Sequence, residues 1–255
     1  MNLISKSTIL GILKKHDMYA SKRFGQNFLI DQNALDCIVK TANIAKTDHV
    51  IEVGPGLGVL TNELLEKAKK VTSIELDKKL IPILTEQFGN NKKFELKNED
   101  ALTFTPPPTS YKVVANIPYN ITSPLLNHFL QAANPPATLT LLVQKEVADK
   151  ICDTKKQSIL SLQVALFATA KNIKKVPPEC FYPAPKVDSA IIHIETHGKI
   201  PQPEALKILA LAKIAFSQKR KKLSNTLPLK LLEKANIDPS LRPQHLSIEE
   251  WQSLI

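Results

Sequence analysis

Apolar and polar positions along the chain follow two periods, and the switching between them sets out strands and helices. Short runs rich in β-branched and apolar residues at 49–53, 71–74, 94–97, 111–115, 138–143, 174–176 and 189–194 read as strands. Between them apolar residues return every three or four positions. Leu35, Ile38 and Val39 form one such stripe, Leu60, Leu64 and Leu65 a second, Leu125, Phe129 and Leu130 a third, and Leu160, Val164 and Phe167 a fourth. Asp31 precedes the first stripe as a cap, and Ser123-Pro124 opens the third with proline in its favoured first turn. The alternation is that of an α/β sheet. After Gly198-Lys199-Ile200-Pro201-Gln202-Pro203, a linker by composition, the period is purely helical over 205–216, 227–235 and 248–254. Two domains follow, 1–198 and 199–255, with residues 1–30 read as a basic arm.

Two strand ends carry candidate chemistry. His49–Val53 runs into Gly54-Pro55-Gly56-Leu57-Gly58 and then a helix, which is a nucleotide-cradling unit. The spacing is Gly-x-Gly-x-Gly, not the dinucleotide Gly-x-Gly-x-x-Gly, because position 59 is Val. The next strand ends in Glu75, 21 residues after Gly54, where an acid can hold both hydroxyls of a ribose. Asp100 follows the third strand and is either an acceptor for a bound amine or a solvated loop acid.

The fourth strand stops at Ala115-Asn116-Ile117-Pro118-Tyr119-Asn120. Pro118 cannot donate to a ladder and turns Ile117 away from helix, so an amide, a free carbonyl and a phenol ring gather at a strand's carboxyl end. An amide oxygen and a main-chain carbonyl accept both hydrogens of an exocyclic amine, and an aromatic face stacks on the attached ring. That suits an amino-purine or amino-pyrimidine taken out of a helix. Phe181-Tyr182-Pro183-Ala184-Pro185 is stiffened by two prolines and either offers an aromatic opposite Tyr119 or packs its rings inward.

Charge narrows the partners. With 34 basic against 24 acidic residues the 255-residue chain carries a net charge of +10, which favours a polyanion, nucleic acid ahead of membrane. Residues 1–30 hold Lys6, Lys14, Lys15, Lys22 and Arg23 against the single acid Asp17. The run Lys22-Arg23-Phe24-Gly25-Gln26-Asn27-Phe28-Leu29 suits a contact with a nucleic-acid backbone or a cover over a ligand, and equally an arm that packs its Phe rings on a core. Ser217-Gln218-Lys219-Arg220-Lys221-Lys222 fits phosphate contacts or a solvated face. No apolar run approaches the ~20 residues needed to span a bilayer. Residues 1–16, split by Gly11 and followed by no small-residue cleavage site, read as mature protein. Cys37, Cys152 and Cys180 are scattered without metal-ligand spacing, so a reducing cytoplasm and no metal are expected.

Taken together, the motifs resemble the ribosomal RNA adenine N6-dimethyltransferases, the small-subunit type in particular. The resemblance rests on Gly25–Leu29, Glu52–Gly58, Ile74–Asp77, Asn116–Tyr119, Gln144–Ala148, Phe181–Asp188 and Phe216–Lys221, in that order over nearly the whole chain. It implies a Rossmann-like, seven-stranded methyltransferase sheet with a small all-helical C-terminal domain, and S-adenosylmethionine as methyl donor. It implies a donor site of Gln26, Asn27, Leu29, Gly54, Gly56, Glu75, Leu76, Asp100, Ala101 and Asn116. Asn116, Ile117, Pro118, Tyr119 and Phe181 are the implied catalytic set around the target adenine. Lys22, Arg23, Lys219, Arg220, Lys221 and Lys222 are the expected RNA contacts. The implied substrate is a pair of adjacent adenines in the 3′-terminal hairpin loop of small-subunit rRNA, each dimethylated at N6 during subunit assembly by a monomeric cytoplasmic enzyme. The alternatives are a large-subunit adenine methyltransferase of the macrolide-resistance type and a non-catalytic RNA-binding or transcription factor on the same fold. A nicotinamide dehydrogenase is disfavoured by Val59. One departure stands out: the family's longer loop with a Tyr-Gly pair is replaced here by the shorter Ile151–Ser158.

Overall fold

A computed structural model describes residues 3–21, 24–153, 157–218 and 220–255. The strands are β1 (Phe28–Leu29), β2 (His49–Val53), β3 (Lys70–Ile74), β4 (Phe94–Lys97), β5 (Lys112–Asn116), β6 (Thr138–Gln144), β7 (Ala168–Val176), β8 (Phe181–Tyr182) and β9 (Ser189–Thr196). The helices are α1 (Lys6–Lys15), α2 (Gln32–Ala42), α3 (Val59–Lys67), α4 (Ile81–Phe88), α5 (Thr122–Leu130), α6 (Lys145–Cys152), α7 (Ile159–Phe167), α8 (Gln202–Phe216), α9 (Leu229–Lys234) and α10 (Ile248–Ser253).

Seven strands form one sheet in the order β4-β3-β2-β5-β6-β9-β7, and β1 and β8 form a separate antiparallel pair. β4, β3, β2, β5 and β6 are parallel, and β9 joins β6 antiparallel with Leu141 opposite Ile192. The chain reverses its winding between β2 and β5: β3 and β4 lie to one side of β2, and β5 and β6 to the other. A crevice opens beyond the strand ends at such a reversal. The central strands are continuous apolar runs, with Val50, Ile51, Val113, Val114, Ala115, Leu139, Leu141 and Leu142 fully buried, as strands covered on both faces require.

Local chemistry places the flanking helices. The Asp31 carboxylate accepts from the Ala34 N–H at 2.7 Å and starts α2, whose Leu35, Ile38, Val39 and Ala42 turn one stripe onto the sheet. Asn43 in left-handed conformation ends it. Helix α1 was not among the expected elements: its segment reads as an arm because Gly11 and three lysines blur the period. Ser5 caps it by accepting from Thr8 N–H at 3.1 Å, and Ile9, Ile12 and Leu13 join the core. The stripe of Leu160, Val164 and Phe167 lies on α7, which ends at Phe167, and Ala168 starts a strand longer than the expected 174–176.

The chain divides into two units, one of Met1–Ala148 with Lys171–Glu195 and one of Asp149–Ala170 with Thr196–Ile255. The second is helical and gathers α7, α8, α9 and α10 around Leu162, Ile208, Ala212, Leu232 and Trp251. Phe216 stacks on Trp251 with centroids 6.1 Å apart. Residues 149–170 therefore group with the C-terminal helices, whereas composition alone drew the boundary at 198. The Gly198–Pro203 segment marks where the chain leaves the sheet, but α7 is apolar nearly all round and gives no hint of which core it serves.

Candidate active site

Where β2, β3 and β5 end, a cavity of about 350 Å³ opens. Its walls bring together every one of the ten expected donor-site residues: Gln26, Asn27, Leu29, Gly54, Gly56, Glu75, Leu76, Asp100, Ala101 and Asn116. Ile117, Pro118 and Tyr119 lie on it as well.

Glycine is needed at the turn after β2 on steric grounds. Gly58 has φ +85°, and a Cβ there would stand 2.3 Å from the Phe88 ring. A Cβ on Gly56, at φ +59°, would come within 3.3 Å of the Phe28 ring. The backbone thus runs bare along the cavity and hands over to the N-terminus of α3.

Glu75 closes the far side of that turn. Its Oε1 accepts the Asp77 N–H at 2.7 Å, and the Gly56 and Leu76 N–H groups also bond the carboxyl. Burial outweighs those bonds and pushes its pKa up to about 7. Gln26 ties the opposite lip to the same strand end, its Nε2 donating to Asp77 Oδ2 at 2.8 Å and its Oε1 accepting Ser21 N–H at 2.8 Å. Asp100 Oδ1 accepts Leu102 N–H at 2.9 Å, which turns the loop, and the residue lines the cavity.

The end of β5 is shaped differently. Asn116 Nδ2 donates to the Asn27 carbonyl at 3.3 Å, an arrangement that directs Oδ1 away from that partner. Pro118 lies against the glycine turn, its Cδ 3.7 Å from where a Gly54 Cβ would be. Tyr119 begins a single helical turn, and its hydroxyl bonds Ser189 Oγ on β9 at 2.7 Å, which anchors the ring's tip. Burial raises the phenol's pKa against the lowering effect of Ser189, so it stays neutral across physiological pH. An amide acceptor, a strand-end carbonyl and a fixed ring face now share a wall with the glycine turn and Glu75. That arrangement can hold an amino-substituted base edge-on beside an adenosyl group.

A family model described as ribosomal RNA adenine dimethylase matches residues 18–254. The chain belongs to that family. It is 40% identical to the ribosomal RNA small subunit methyltransferase A of Alkaliphilus oremlandii, over 94% of this chain and 92% of the relative. The protein of the same name from Dehalococcoides mccartyi is 40% identical over 95% and 90%. Among solved structures, a dimethyladenosine transferase from Plasmodium falciparum superposes with a TM-score of 0.78 at 26% identity, covering 89% of this chain and 95% of that one. The 23S rRNA methyltransferase ErmE superposes with 0.73 at 30% identity, covering 89% and 98%. The α/β methyltransferase fold expected from the motifs is the fold found.

Phe181 departs from expectation. It is 3% exposed, pairs with Leu29 across the β1–β8 ladder and packs in the core, and it does not line the cavity. Phe181 stands in a two-residue strand paired with β1, and its ring is turned inward there. The phenylalanine rings that do line the cavity are Phe28, packed against Gly56 of the glycine turn, and Phe24. Glu52 is the residue the sequence reading left without a role. It lines the cavity, is 1% exposed, and sits inside an apolar strand where nothing in the pattern separates it from a packing residue. Of the expected RNA contacts, Arg220, Lys221 and Lys222 are exposed just after α8; Lys22, Arg23 and Lys219 lie outside the described residues. Among the described residues no group of three or more His, Cys, Asp and Glu side chains could hold a metal ion, and no helix is long and apolar enough to cross a membrane.

Proposed function

We propose that the chain transfers methyl groups from S-adenosylmethionine to N6 of two adjacent adenines in the 3′-terminal hairpin loop of small-subunit rRNA. Each would become N6,N6-dimethyladenosine during assembly of the subunit. The observation that carries the reading is Asn116, with Nδ2 committed to Asn27 and Oδ1 left for a ligand, on one wall with the glycine turn and Glu75.

The residues fit an adenosyl donor. Glu75 offers a carboxyl on the cavity wall for the ribose hydroxyls, Leu76 and Ala101 offer apolar contact to an adenine ring, and Asp100 can accept from that ring's amino group. The bare backbone of Gly54 and Gly56 and the Asn27–Leu29 segment suit the amino-acid end. When bound, the donor supplies a methyl group on positively charged sulfur, already activated for displacement.

The protein's share is orientation. The target adenine's amino nitrogen is a weak nucleophile because its lone pair is spread into the ring. Hydrogen bonds from its N–H groups to Asn116 Oδ1 and the Ile117 carbonyl hold the nitrogen pyramidal, with its lone pair directed at the methyl carbon. Tyr119, fixed through Ser189, stacks on the base. Alignment of this kind supplies roughly 7–11 kcal/mol of a barrier. A second transfer requires the monomethylated nitrogen to turn in place, so the wall must leave space beside it.

Lys22, Arg23 and the Lys219–Lys222 run complete the reading as phosphate contacts, with the helical unit as an rRNA-binding domain and a monomer as the working form. The small-subunit assignment is supported by relatives about 40% identical over nearly their full length, against 30% for the large-subunit enzyme. Purified small and large ribosomal subunits from cells lacking the chain, incubated with it and methyl-labelled donor, test the reading. Label on two adjacent adenines of the small subunit is expected; label confined to the large subunit, or none, refutes it.

A further inference from the structure

Glu52 is held in a way that no packing role explains. Its Oε2 accepts from Ser73 Oγ at 2.6 Å and from Thr61 Oγ1 at 2.7 Å, while Oε1 is buried and has no hydrogen-bond partner. The side chain stands on the cavity wall, two residues before the glycine turn. Among the described residues no counter-charge faces it. α3 presents Thr61, β3 presents Ser73 and then the acid Glu75 with Asp77 beyond it, and β5 presents Val114 in register. An unpaired buried carboxylate is costly, and a positive charge brought near removes that cost.

Resting on the reading of this cavity as the donor site, we propose that Glu52 reads the charge of the methyl donor. Its buried carboxyl ionises when the cationic sulfonium ligand is in place and is protonated again once the sulfur is neutral. On binding, the O–H bond of the Glu52 carboxyl breaks and the proton passes to bulk water. After transfer, the C–S bond has broken and an N–C bond has formed, the amine has lost its own proton to solvent, and the ligand left behind is a neutral thioether. The carboxyl then takes a proton back from water. The consequence is specificity: the site holds the sulfonium donor in preference to its own thioether product, which carries the same ammonium and carboxylate but neither the methyl group nor the charge on sulfur. Burial pushes the Glu52 carboxyl from 4.5 up to about 7, so it titrates in the range where such discrimination is useful.

Isothermal titration calorimetry tests this with the full chain, S-adenosylmethionine and S-adenosylhomocysteine, in two buffers of different protonation enthalpy across pH 5.5–8. The wild-type chain is expected to release more protons on binding the sulfonium than on binding the thioether. Below pH 7 its affinity for the sulfonium should rise by up to about tenfold per pH unit more steeply than its affinity for the thioether. Glu52→Gln should abolish that difference. Thr61→Val, which deprives Oε2 of one donor, should move the release to higher pH, and it carries the test should Glu52→Gln fail to fold by thermal unfolding. Equal proton release by the two ligands in wild type overturns the inference, as does an undiminished difference in Glu52→Gln, while the donor site stands. Absence of binding by either ligand to wild type overturns the donor-site reading and the inference together.

Discussion

The two walls of the cavity solve their polar problem in opposite ways. At the end of β5 the groups are neutral and each is tied down by one bond: Asn116 to Asn27, Tyr119 to Ser189. At the ends of β2 and β3 the groups are acids whose burial lifts both Glu52 and Glu75 to about 7. The neutral wall is indifferent to pH and built for geometry. The acid wall is responsive to charge, and a cation suits it. Under the proposed function the acid wall would face the positively charged donor and the neutral wall the base.

Several substitutions break or sharpen that contrast. Phe181→Ala has the largest expected effect: a buried ring lost from the core costs roughly 3–5 kcal/mol of stability, read by denaturant unfolding. Loss of methyl transfer with stability unchanged would instead return Phe181 to the adenine wall. Asn116→Ala should keep the fold but lower kcat by roughly a hundred- to a thousandfold, by analogy with the loss of a positioned hydrogen-bonding group. Near-normal turnover would remove Asn116 from the chemistry.

The acid wall makes a prediction about pH. Glu52 binds a proton in the folded state up to about pH 7 and in the unfolded state only up to 4.5, so the folded protein holds the extra proton in between. Stability of the ligand-free chain should therefore fall as pH rises through that window and level off above it, by at most about 3 kcal/mol from this group. Glu75 contributes a slope of the same sign, so Glu52→Gln should roughly halve the slope, and an unchanged slope in thermal unfolding would contradict the assignment. Tyr119→Ala should cost roughly 1–3 kcal/mol in transition-state binding from lost stacking, with donor affinity by calorimetry largely kept. Ser189→Ala, which removes only the phenol's anchor, should cost about 1 kcal/mol in kcat/KM and leave KM for the donor unchanged.

Much of this site was legible because it is written in backbone terms. Gly54, Gly56 and Gly58 are required by positive φ and by the closeness of Phe28 and Phe88, and Pro118 stops β5 wherever its neighbours lie. Glu75 and Asn116 follow strands whose apolar runs fix their ends. Other features depend on contacts distant in sequence. Phe181 turns inward because β8 pairs with β1, more than 150 residues earlier, and no local pattern announces that pairing. Residues 149–170 carry a sound helical period, but their core partner is α8, which the chain reaches only after β7 and β9. Helix α1 hides behind its glycine and lysines until Ile9, Ile12 and Leu13 are seen buried. Glu52 looks like one polar residue in a strand; its role depends on Thr61 and Ser73 arriving from two other elements.

The central claim is tested most directly by the structure of the chain bound to a non-reactive donor analogue and an RNA hairpin bearing the two adenines. The account predicts one adenine turned out of its stack, its N6 about 3 Å from both Asn116 Oδ1 and the Ile117 carbonyl, with Tyr119 against its face. An adenine held elsewhere, with Asn116 Oδ1 bonded to the protein, would contradict it.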